Sequence, residues 1–344
     1  MSGEGSAFAF ELPEDAIALR PANPRRAARL LQLSRNAGTI SHHHMFDLPT
    51  LLRPGDLLVR NTSRVLAARL RGRKESGGRA EALLLGAADT AGTFCALLRC
   101  KGRQRVGQKL VFTRGAALLE AEVCALADDG VVVLRFPPGS DPYALGEVPL
   151  PPYIREGIAD ADDRANYQTI YADQPGSVAA PTAGLHFDRP LEEALAARGV
   201  RTADVVLHIG VGTFRPPRAE ELERGELHEE WFRLPRETAA AVRATRAAGG
   251  RVVAVGTTSC RVLESCVDSS GEVIPREGTT RLFLRPGVDF RAIDALLTNF
   301  HLPDSSLLML VAAFAGVEPV RAAYAEALAR GYRFYSYGDA MLIQ

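Results

Sequence analysis

The stretch "RVVAVGTTSCRVLES", residues 251–265, turns from an apolar strand into a short helix within a few residues. The apolar run 251–255 predicts a buried strand, and the pattern after it predicts a helix from near Ser259 to Ser265. Glycine and hydroxyl side chains fill the junction at 256–258. A strand that leads into a helix in this way is typical of α/β proteins, whose parallel sheets are buried between helices.

The same alternation of strands and helices continues on both sides of this stretch. Asp188 is expected to cap a helix that runs to about Arg198, with Pro190 in its first turn and Gly199 at its end. The other expected elements are strands at 56–59, 203–209 and 293–298, and helices at 235–248, 306–315 (capped by Ser305) and 318–330. The predicted fold class is therefore α/β, with a largely parallel sheet that carries helices on both faces.

Residues 65–148 follow a different pattern, in which short apolar runs are separated by glycine, aspartate and lysine. The sequence Asp128-Asp129-Gly130 is typical of a hairpin turn. Several short strands at such spacing predict a small β-barrel or sandwich, and the prolines of 149–154 predict a stiff connector after it. The expected domains are a first part of the α/β domain at 1–64, an inserted small β-barrel domain at 65–148, and the main part of the α/β domain at 149–344.

Composition limits the classes of function. The 344 residues include 41 basic and 41 acidic side chains, so a nucleic acid would have to meet a local charged patch. The five cysteines form no CxxC pair, and no zinc-type spacing is present, so no metal is expected. Adjacent His42, His43 and His44 cannot all face one ion. We further expect a cytoplasmic location and no membrane partner, since signal-peptide and membrane-length apolar segments are not seen. A monomer is also expected.

Three predicted strands lead into segments that carry glycine, hydroxyl, amide or imidazole groups. Ligands of open α/β sheets bind beyond the carboxyl ends of the strands, so these segments are expected to meet along one edge. Each segment alone is compatible with a cap or a turn, and the functional interpretation rests on their convergence. Backbone amides and hydroxyls at a helix N-terminus suit a carboxylate such as that of methionine. The candidate ligand-binding residues here are Gly212, Thr213, Thr258, Ser259 and Asn299.

The stretch "GSVAAPTAGLHF", residues 176–187, is too broken for a core helix and too apolar for an ordinary surface loop. Small residues allow a close approach of the backbone to a ligand, and Thr182 adds a hydroxyl. Two interpretations stay open: a loop packed under the sheet, or a pocket wall for a flat or sugar-bearing ligand. In the second, Thr182, Gly184 and His186 line the pocket.

Several long motifs in this chain closely resemble one family. They include "GSVAAPTAGLHF", "LHIGVGTF", "VGTTSCRVLES", "TNFHLPDSSLLMLVAAFAG", "YRFYSYGDAMLI" and "NYQTIYA". Together they resemble the S-adenosylmethionine:tRNA ribosyltransferase-isomerases of queuosine biosynthesis, and the resemblance extends from Phe10 to Ile343. It implies an α/β domain with a β-barrel inserted near the N-terminal end.

The resemblance also implies a reaction. The family transfers the ribosyl part of S-adenosylmethionine onto 7-aminomethyl-7-deazaguanine at the wobble position of tRNA and isomerises it, which yields epoxyqueuosine. Adenine and methionine are released. S-adenosylmethionine is then a co-substrate, the tRNA carrying 7-aminomethyl-7-deazaguanine is the partner, and the reaction requires no metal.

This chemistry needs a base, because the sulfonium acidifies the neighbouring ribose C5′ and a proton must be removed there. Histidines and carboxylates are the usual bases, and the order among the candidates stays open. Arg261 is a further cofactor-binding candidate, since its fork suits the methionine carboxylate. Phe214 and Tyr337 are candidates for stacking on a base. The catalytic candidates are His186, His208, His228, His301, Glu230 and Asp339.

The chain departs from the family pattern in two places. Thr62-Ser63 stand where the family has Asp or Asn followed by Thr, and Glu229 stands where it has Ser. Arg64, His228 and Glu230 are retained. These departures leave open a paralogue that uses S-adenosylmethionine on a free deazapurine or small nucleoside. A tRNA-binding protein without catalysis is the third alternative.

The segment from Arg60 to Lys109 is strongly basic. It contains twelve Lys and Arg against three Asp and Glu, which leaves +9 in a chain that is neutral overall. Such a segment is either a solvated barrel surface or an RNA-binding face, because phosphates dominate affinity for RNA. The candidate RNA-binding residues are Arg64, Arg71, Arg73 and Arg103.

Overall fold

The computed structural model describes residues 8–127, 130–210, 212 and 217–344. Its strands, in chain order, are β1 (Arg29–Leu33), β2 (Ile40–His44), β3 (Leu57–Asn61), β4 (Ser63–Val65), β5 (Arg69–Lys74), β6 (Arg79–Ala87), β7 (Thr93–Cys100), β8 (Lys109–Arg114), β9 (Ala117–Leu126), β10 (Val131–Arg135), β11 (Gln174–Ser177), β12 (Arg201–Leu207), β13 (Glu226–Leu234), β14 (Val252–Val255), β15 (Arg276–Leu282), β16 (Ala295–Asn299) and β17 (Ala340–Ile343).

The helices are α1 (Leu48–Leu51), α2 (Pro142–Leu145), α3 (Asp163–Asn166), α4 (Arg189–Ala197), α5 (Ala219–Arg224), α6 (Arg236–Ala247), α7 (Gly256–Ser265), α8 (Ser306–Ala315) and α9 (Val317–Ala329). Short 3-10 helices lie at Glu14–Ala16, Arg25–Ala27, Met45–Asp47, Arg155–Gly157 and Thr182–His186.

The chain divides into two compact units. The first, called the sheet unit, contains the residues up to Arg64, Gln168–Gln174 and Ala180–Gln344. The second, called the barrel unit, contains Val65–Tyr167 and Pro175–Ala179. The proline-containing stretch 149–154 therefore belongs to the barrel unit, where Leu150 and Ile154 are buried.

The sheet unit is built on one nine-stranded sheet with the order β15-β13-β12-β3-β14-β16-β17-β1-β2. The central strands β12, β3, β14 and β16 are parallel. The strands towards both edges are mostly antiparallel. The predicted α/β class is thus confirmed, and the central strands of the sheet are parallel as expected. The antiparallel strands towards the edges were not predicted from the periodicity.

Both faces of the central strands are covered. Leu58, Val253 and Leu297 pack in one cluster with Leu48 of α1 and Leu191 of α4. The alternate residues of the same strands are also buried, and they point to the opposite face. Strands buried on both sides read as continuous apolar runs, which is why "VVAV" of β14 predicted its place in the sheet.

The junction after β14 differs from the expectation. Helix α7 begins at Gly256, three residues before the predicted start at Ser259. Gly256 has φ +87°, which a residue with a side chain rarely adopts, and this allows the strand to turn directly into the helix. Thr257 and Thr258 are therefore in the first helical turn instead of in a loop.

Helix α8 begins as predicted. The Ser305 hydroxyl accepts a hydrogen bond from the Leu308 amide at 3.2 Å, and Gly316 ends the helix. Among the described residues no single helix is long and apolar enough to cross a membrane, while α8 and α9, bent by 115°, meet the length and composition test as a pair.

The barrel unit contains a closed barrel of six antiparallel strands with the order β10-β7-β6-β5-β8-β9. This confirms the predicted inserted barrel. The turn residues Asp128 and Asp129 lie outside the described residues, but β9 and β10 on either side pair as antiparallel neighbours. Buried and more exposed residues alternate in β6 as far as Leu84, and Ala80, Ala82 and Leu84 face the interior.

One glycine of the barrel has no room for a side chain. A Cβ on Gly72 of β5 would overlap the Val111 carbonyl oxygen and lie 2.7 Å from the Phe112 Cα, both on the neighbouring strand. The obstruction is backbone, so relief requires the two strands to separate.

We expect Gly72→Ala to lower the free energy of unfolding by about 1–3 kcal/mol, as overpacking does in a closed interior. Gly78→Ala, in the turn between β5 and β6, is the matched control, because its Cβ would meet only the flexible end of Lys74. Urea denaturation of both variants provides the measurement. Equal stability of the two variants would show that β5 and β8 can separate at Gly72 without loss of stability.

Candidate active site

The parallel strands bring several polar segments to one edge of the sheet. The carboxyl ends of β12, β3, β14 and β16 share this edge, as the sequence pattern predicted. Strand β17 runs antiparallel to β16, and Ala340 at its start pairs with Asn299 at the end of β16. The turn before β17 is therefore at the same edge.

Asn299 is the centre of a hydrogen-bond network at this edge. Its Oδ1 accepts from the Thr182 hydroxyl at 3.0 Å, and its Nδ2 donates to the Tyr335 carbonyl at 3.0 Å. The same Nδ2 lies 3.2 Å from His186 Nε2. The network joins three separate segments and fixes the 3-10 helix Thr182–His186 against β16. The predicted candidates Thr182, His186 and Asn299 are thus brought together.

His186 is buried, and burial lowers its pKa to about 4, so the ring is neutral at pH 7. The backbone of Tyr335 has φ +72°, which is unusual for an aromatic residue and is held by Asn299 and by the Phe300 carbonyl. Sequence reasoning did not select Tyr335, although it lies inside a quoted motif.

Gly184 serves close packing. A Cβ there would overlap the Tyr171 hydroxyl and lie 2.8 Å from the Thr169 methyl group. Glycine ends the "TAG" run at 182–184 because Tyr171 fills the space beside it. The motif "NYQTIYA" carried the signal for Tyr171, which the site prediction did not use.

Helix α7 presents two unsatisfied polar atoms. Thr258 is 9% exposed and Arg261 is 5% exposed, so both are almost completely buried. Within the described chain, the Thr258 hydroxyl and the Nη2 of Arg261 have no hydrogen-bond partner. Residues three apart lie on the same helix face, so both atoms point to one side of α7. Ser259, by contrast, donates its hydroxyl to the Val255 carbonyl at 2.9 Å.

The other donors of Arg261 are occupied. Its Nη1 forms a buried ion pair with Glu230 Oε2, and its Nε donates to the Leu282 carbonyl at 3.1 Å. The second carboxylate oxygen, Glu230 Oε1, accepts from the Gly210 amide at 3.0 Å. Arg261 and Glu230, predicted for different roles, therefore form one unit that joins β13, α7 and the segment after β12.

His228 completes this cluster. Its Nε2 lies 3.3 Å from Glu230 Oε1, and its side chain is 23% exposed. This contact lies within ion-pair distance but lacks hydrogen-bond geometry, and it places Nε2 on the carboxylate side of the ring and Nδ1 on the side of Gly212. A Cβ on Gly212 would overlap the His228 ring at Nδ1. Glycine at 212 therefore allows the backbone to pack directly against the His228 ring.

Glu230 is held in the ionised form. Burial by itself would raise the pKa of Glu230, but the Arg261 guanidinium, His228 and the Gly210 amide together lower it to about 2. At neutral pH the carboxylate accepts hydrogen bonds and orients its neighbours. In the cluster His228–Glu230–Arg261, His228 thus has the position of a general base that the Glu230 carboxylate orients.

Two further candidate histidines differ in their contacts: His301 is hydrogen-bonded, whereas the buried Nδ1 of His208 has no hydrogen-bond partner among the described residues. His301 is buried with its Nε2 2.8 Å from the Thr298 hydroxyl, and burial lowers its pKa to about 3. His208 stacks on Trp231 with ring centroids 4.7 Å apart. Burial, and then the charge of Arg233, lower the pKa of His208.

Asp339 closes the turn before β17. Its carboxylate accepts from the Arg29 amide at 3.0 Å and from the Arg333 amide at 2.8 Å. Both contacts bind backbone amides of the scaffold. Asp339 is also buried, with 1% of its surface exposed.

The RNA-binding candidates are scattered. Tyr337 is buried, with 1% of its surface exposed, and its stacking on a base stays a prediction. Arg64 is exposed and donates to the Ala172 carbonyl at 2.7 Å. Thr213 and Phe214 lie outside the described residues.

On the barrel, Arg71 is already paired, with Glu81 at 3.3 Å and Glu147 at 3.0 Å. Arg73 and Arg103 are exposed and have no ion pair among the described residues. The basic segment therefore contains both structural arginines and free ones, which sequence alone does not separate.

The three consecutive histidines have separate environments. His42 contacts the Tyr332 hydroxyl through Nδ1 at 2.8 Å, and His43 contacts the Ser41 hydroxyl through Nε2 at 2.9 Å. His44 stacks on Phe46. In the described ranges no group of three or more His, Cys, Asp or Glu side chains is placed to hold a metal ion.

Comparison with known proteins gives one family. The family model described as "Queuosine biosynthesis protein" matches residues 5–343. The chain is 51% identical to the S-adenosylmethionine:tRNA ribosyltransferase-isomerase of Acidiphilium cryptum and 47% identical to that of Trichlorobacter lovleyi, with 98% of both chains covered in each comparison. The crystal structure of an S-adenosylmethionine tRNA ribosyltransferase from Thermotoga maritima matches with TM-score 0.57 and 37% identity, and covers 98% of this chain and 100% of that one.

The Glu230 ion pair predicts a specific dependence of stability on pH. Because the pKa in the folded protein lies below the ~4.3 of an unfolded glutamate, its contribution is complete above that pH and is lost as the pH falls towards about 2. We expect wild type to be more stable than Glu230→Gln at pH 7. The gap should narrow below about pH 4.3, by up to about 3 kcal/mol near pH 2. Urea denaturation from pH 7 to pH 3 measures it. A constant gap over this range would mean that Glu230 is not held ionised by Arg261.

Proposed function

The chain belongs to the queuosine biosynthesis protein family, and on that premise we propose that it transfers the ribosyl group of S-adenosylmethionine to 7-aminomethyl-7-deazaguanine at the tRNA wobble position. It is an S-adenosylmethionine:tRNA ribosyltransferase-isomerase by its similarity to relatives of that name. The proposal adds the acceptor base and the product, epoxyqueuosine. The observation that carries it is the identity of 47–51% to those relatives over 98% of the chain.

The proposed reaction joins the sugar to the base and releases methionine and adenine. A C–N bond forms between the aminomethyl nitrogen of the base and the sugar carbon skeleton. The C–S bond to methionine and the glycosidic bond to adenine break, and a new C–C bond closes the ring of the epoxycyclopentanediol. The sugar and the neutral amine each lose a proton, adenine takes up one of these, and the other is released. The sulfonium makes a C5′ proton acidic, so a single well-placed base is the first requirement of the site.

We assign that base to His228. Among the candidate histidines of this edge, it is a partly exposed one whose ring lies beside an ionised carboxylate, and Gly212 packs against its other side. Glu230 orients the ring and stabilises the imidazolium that forms when the proton is taken. Arg261 acts one step further away, by holding Glu230 in place and ionised.

The proposed cleft for S-adenosylmethionine extends from His228 along the sheet edge. Helix α7 supplies the backbone amides of its first turn and the unpartnered Thr258 hydroxyl, which suit the methionine carboxylate. The unpaired Nη2 of Arg261 is a further donor on the same helix face. Thr182 and Asn299 form the other wall, where the adenosine part would lie.

The barrel unit offers an exposed row of cations for the tRNA. Arg73 and Arg79 are directly opposite each other on β5 and β6, and Lys101 follows Cys100, which pairs with Ala80. All three cations are exposed. Like charges opposite each other destabilise a sheet, so this row is better explained by an anionic partner than by the fold. Its phosphate contacts would position the RNA without reading its sequence.

The central test is adenine release from S-adenosylmethionine with tRNA that carries 7-aminomethyl-7-deazaguanine. We expect His228→Gln to lower kcat by about 10²–10⁴-fold, the usual contribution of a general base, while affinity for S-adenosylmethionine is retained. His43→Gln, a half-exposed histidine outside the site, is the matched control and should keep full activity.

Three outcomes distinguish the alternatives in this assay. Turnover with the modified tRNA supports the proposal. Turnover only with the free deazapurine indicates a paralogue, and tRNA binding without turnover indicates a non-catalytic RNA-binding protein. Full activity of His228→Gln would remove His228 from the role of base.

A salt series tests the cationic row. Replacing Arg73, Arg79 and Lys101 together by alanine should weaken tRNA binding and reduce the slope of log affinity against log salt by about 2–3, at about 0.7–0.9 per phosphate contact. Affinity for S-adenosylmethionine should not change, because its proposed cleft belongs to the sheet unit. The control removes the same number of exposed charges from the sheet unit, at Arg189, Arg198 and Arg224. An unchanged slope in the barrel variant would show that this row is a solvated surface.

A further inference from the structure

An exposed pair of stacked rings stands at the end of strand β2. Phe46 is 51% exposed, and its ring stacks on His44 with centroids 4.9 Å apart and an interplanar angle of 9°. Both side chains are at the surface, while Met45 between them is buried. The burial of Met45 fixes the backbone, so the two rings are presented outward on a rigid support.

The register of the sheet places this pair near the proposed site. Asn299 pairs with Ala340, Leu30 pairs with Ala340, and Leu30 pairs with His43. This row crosses four strands, and three spacings of about 4.8 Å put His43 about 14 Å from Asn299. His44 is the next residue towards the catalytic edge. A few nucleotides of one RNA strand span such a distance.

The surroundings are rich in arginine. Residues 16–46 contain five arginines and no aspartate or glutamate, Asp47 follows and accepts from the His44 amide at 2.9 Å, and Arg26 is paired with Asp188. The 3-10 helix Arg25–Ala27 packs against the 3-10 helix Met45–Asp47, and Arg29 is directly opposite His44 on β1. An apolar protein partner would require further exposed apolar side chains around Phe46, but its neighbours Met45 and Leu48 are buried. The combination of an aromatic face with arginines suits RNA.

We propose that the His44–Phe46 pair is a stacking platform for an unpaired base of the tRNA anticodon loop, next to the base that is modified. The inference rests on the proposed function and adds a contact in the sheet unit to those of the barrel. Single-stranded loops are recognised by stacking their splayed bases on aromatic side chains, and such stacks are tolerant of sequence. Entry of one base into the cleft requires that its neighbours be held apart from it, which the platform provides.

The test compares Phe46→Ala, Phe46→Leu and Phe46→Trp in the full-length protein. One base stack contributes about 1–3 kcal/mol, so we expect Phe46→Ala to weaken tRNA binding roughly 5- to 150-fold. Phe46→Leu keeps the apolar volume and should lose most of the same affinity, whereas Phe46→Trp should retain it. A tRNA with 2-aminopurine beside the wobble position should show fluorescence quenching with wild type and Phe46→Trp only. Leu118→Ala, which removes an exposed apolar side chain of the barrel, is the control.

The outcomes separate this inference from the proposed function. If wild type transfers ribose and Phe46→Leu binds tRNA as tightly as wild type, the platform is overturned and the function stands. If wild type does not transfer the ribosyl group, the proposed function is overturned. If wild type also does not quench the 2-aminopurine fluorescence, the platform is overturned as well. Affinity for S-adenosylmethionine should be the same in all variants, which a general loss of folding would not allow.

Discussion

The ion pair between Arg261 and Glu230 holds the candidate site together. It connects α7 to β13, and through the Leu282 carbonyl and the Gly210 amide it also fixes the end of β15 and the segment after β12. Two buried charges carry a large desolvation cost, so such a pair is weak support for overall stability, while loss of one partner alone is strongly destabilising. The role of the ion pair here is to fix the orientation of the Glu230 carboxylate. Glu230 has two oxygens, and with one bound to Arg261 the other is directed to Gly210 and His228.

The rest of the edge is arranged around α7. Gly256 permits the strand to turn into the helix without a loop, and its Cα lies against the 3-10 helix that carries Thr182 and His186. The first turn of α7 therefore faces the Asn299 network, while its second turn carries Arg261 to the His228 cluster. One buried helix thus relates the part of the site suited to adenosine and a carboxylate to the part suited to proton transfer.

The sequence predicted most of the fold because its signals are local. Apolar runs such as 252–255, the Asp188 and Ser305 caps, and the spacing in the barrel depend on neighbouring residues only. The partner of Arg261 depends on packing between segments that are 31 residues apart, and no local pattern encodes it. The same limit applies to Arg71, whose charge is used by Glu81 and Glu147, and to Tyr337, which lies in an irregular turn that has no period. Family motifs pointed to the candidate site, and the contacts are what separate His228, beside Glu230, from His301, which is bonded to Thr298.

The most direct test of this account is a structure of the protein with S-adenosylmethionine bound. The account predicts that the ribose C5′ lies about 3–3.5 Å from His228 Nδ1, the separation of a near-attack geometry, with the methionine carboxylate at the first turn of α7 beside Thr258. A ribose bound elsewhere, with His228 contacting only Glu230 and Gly212, would contradict it.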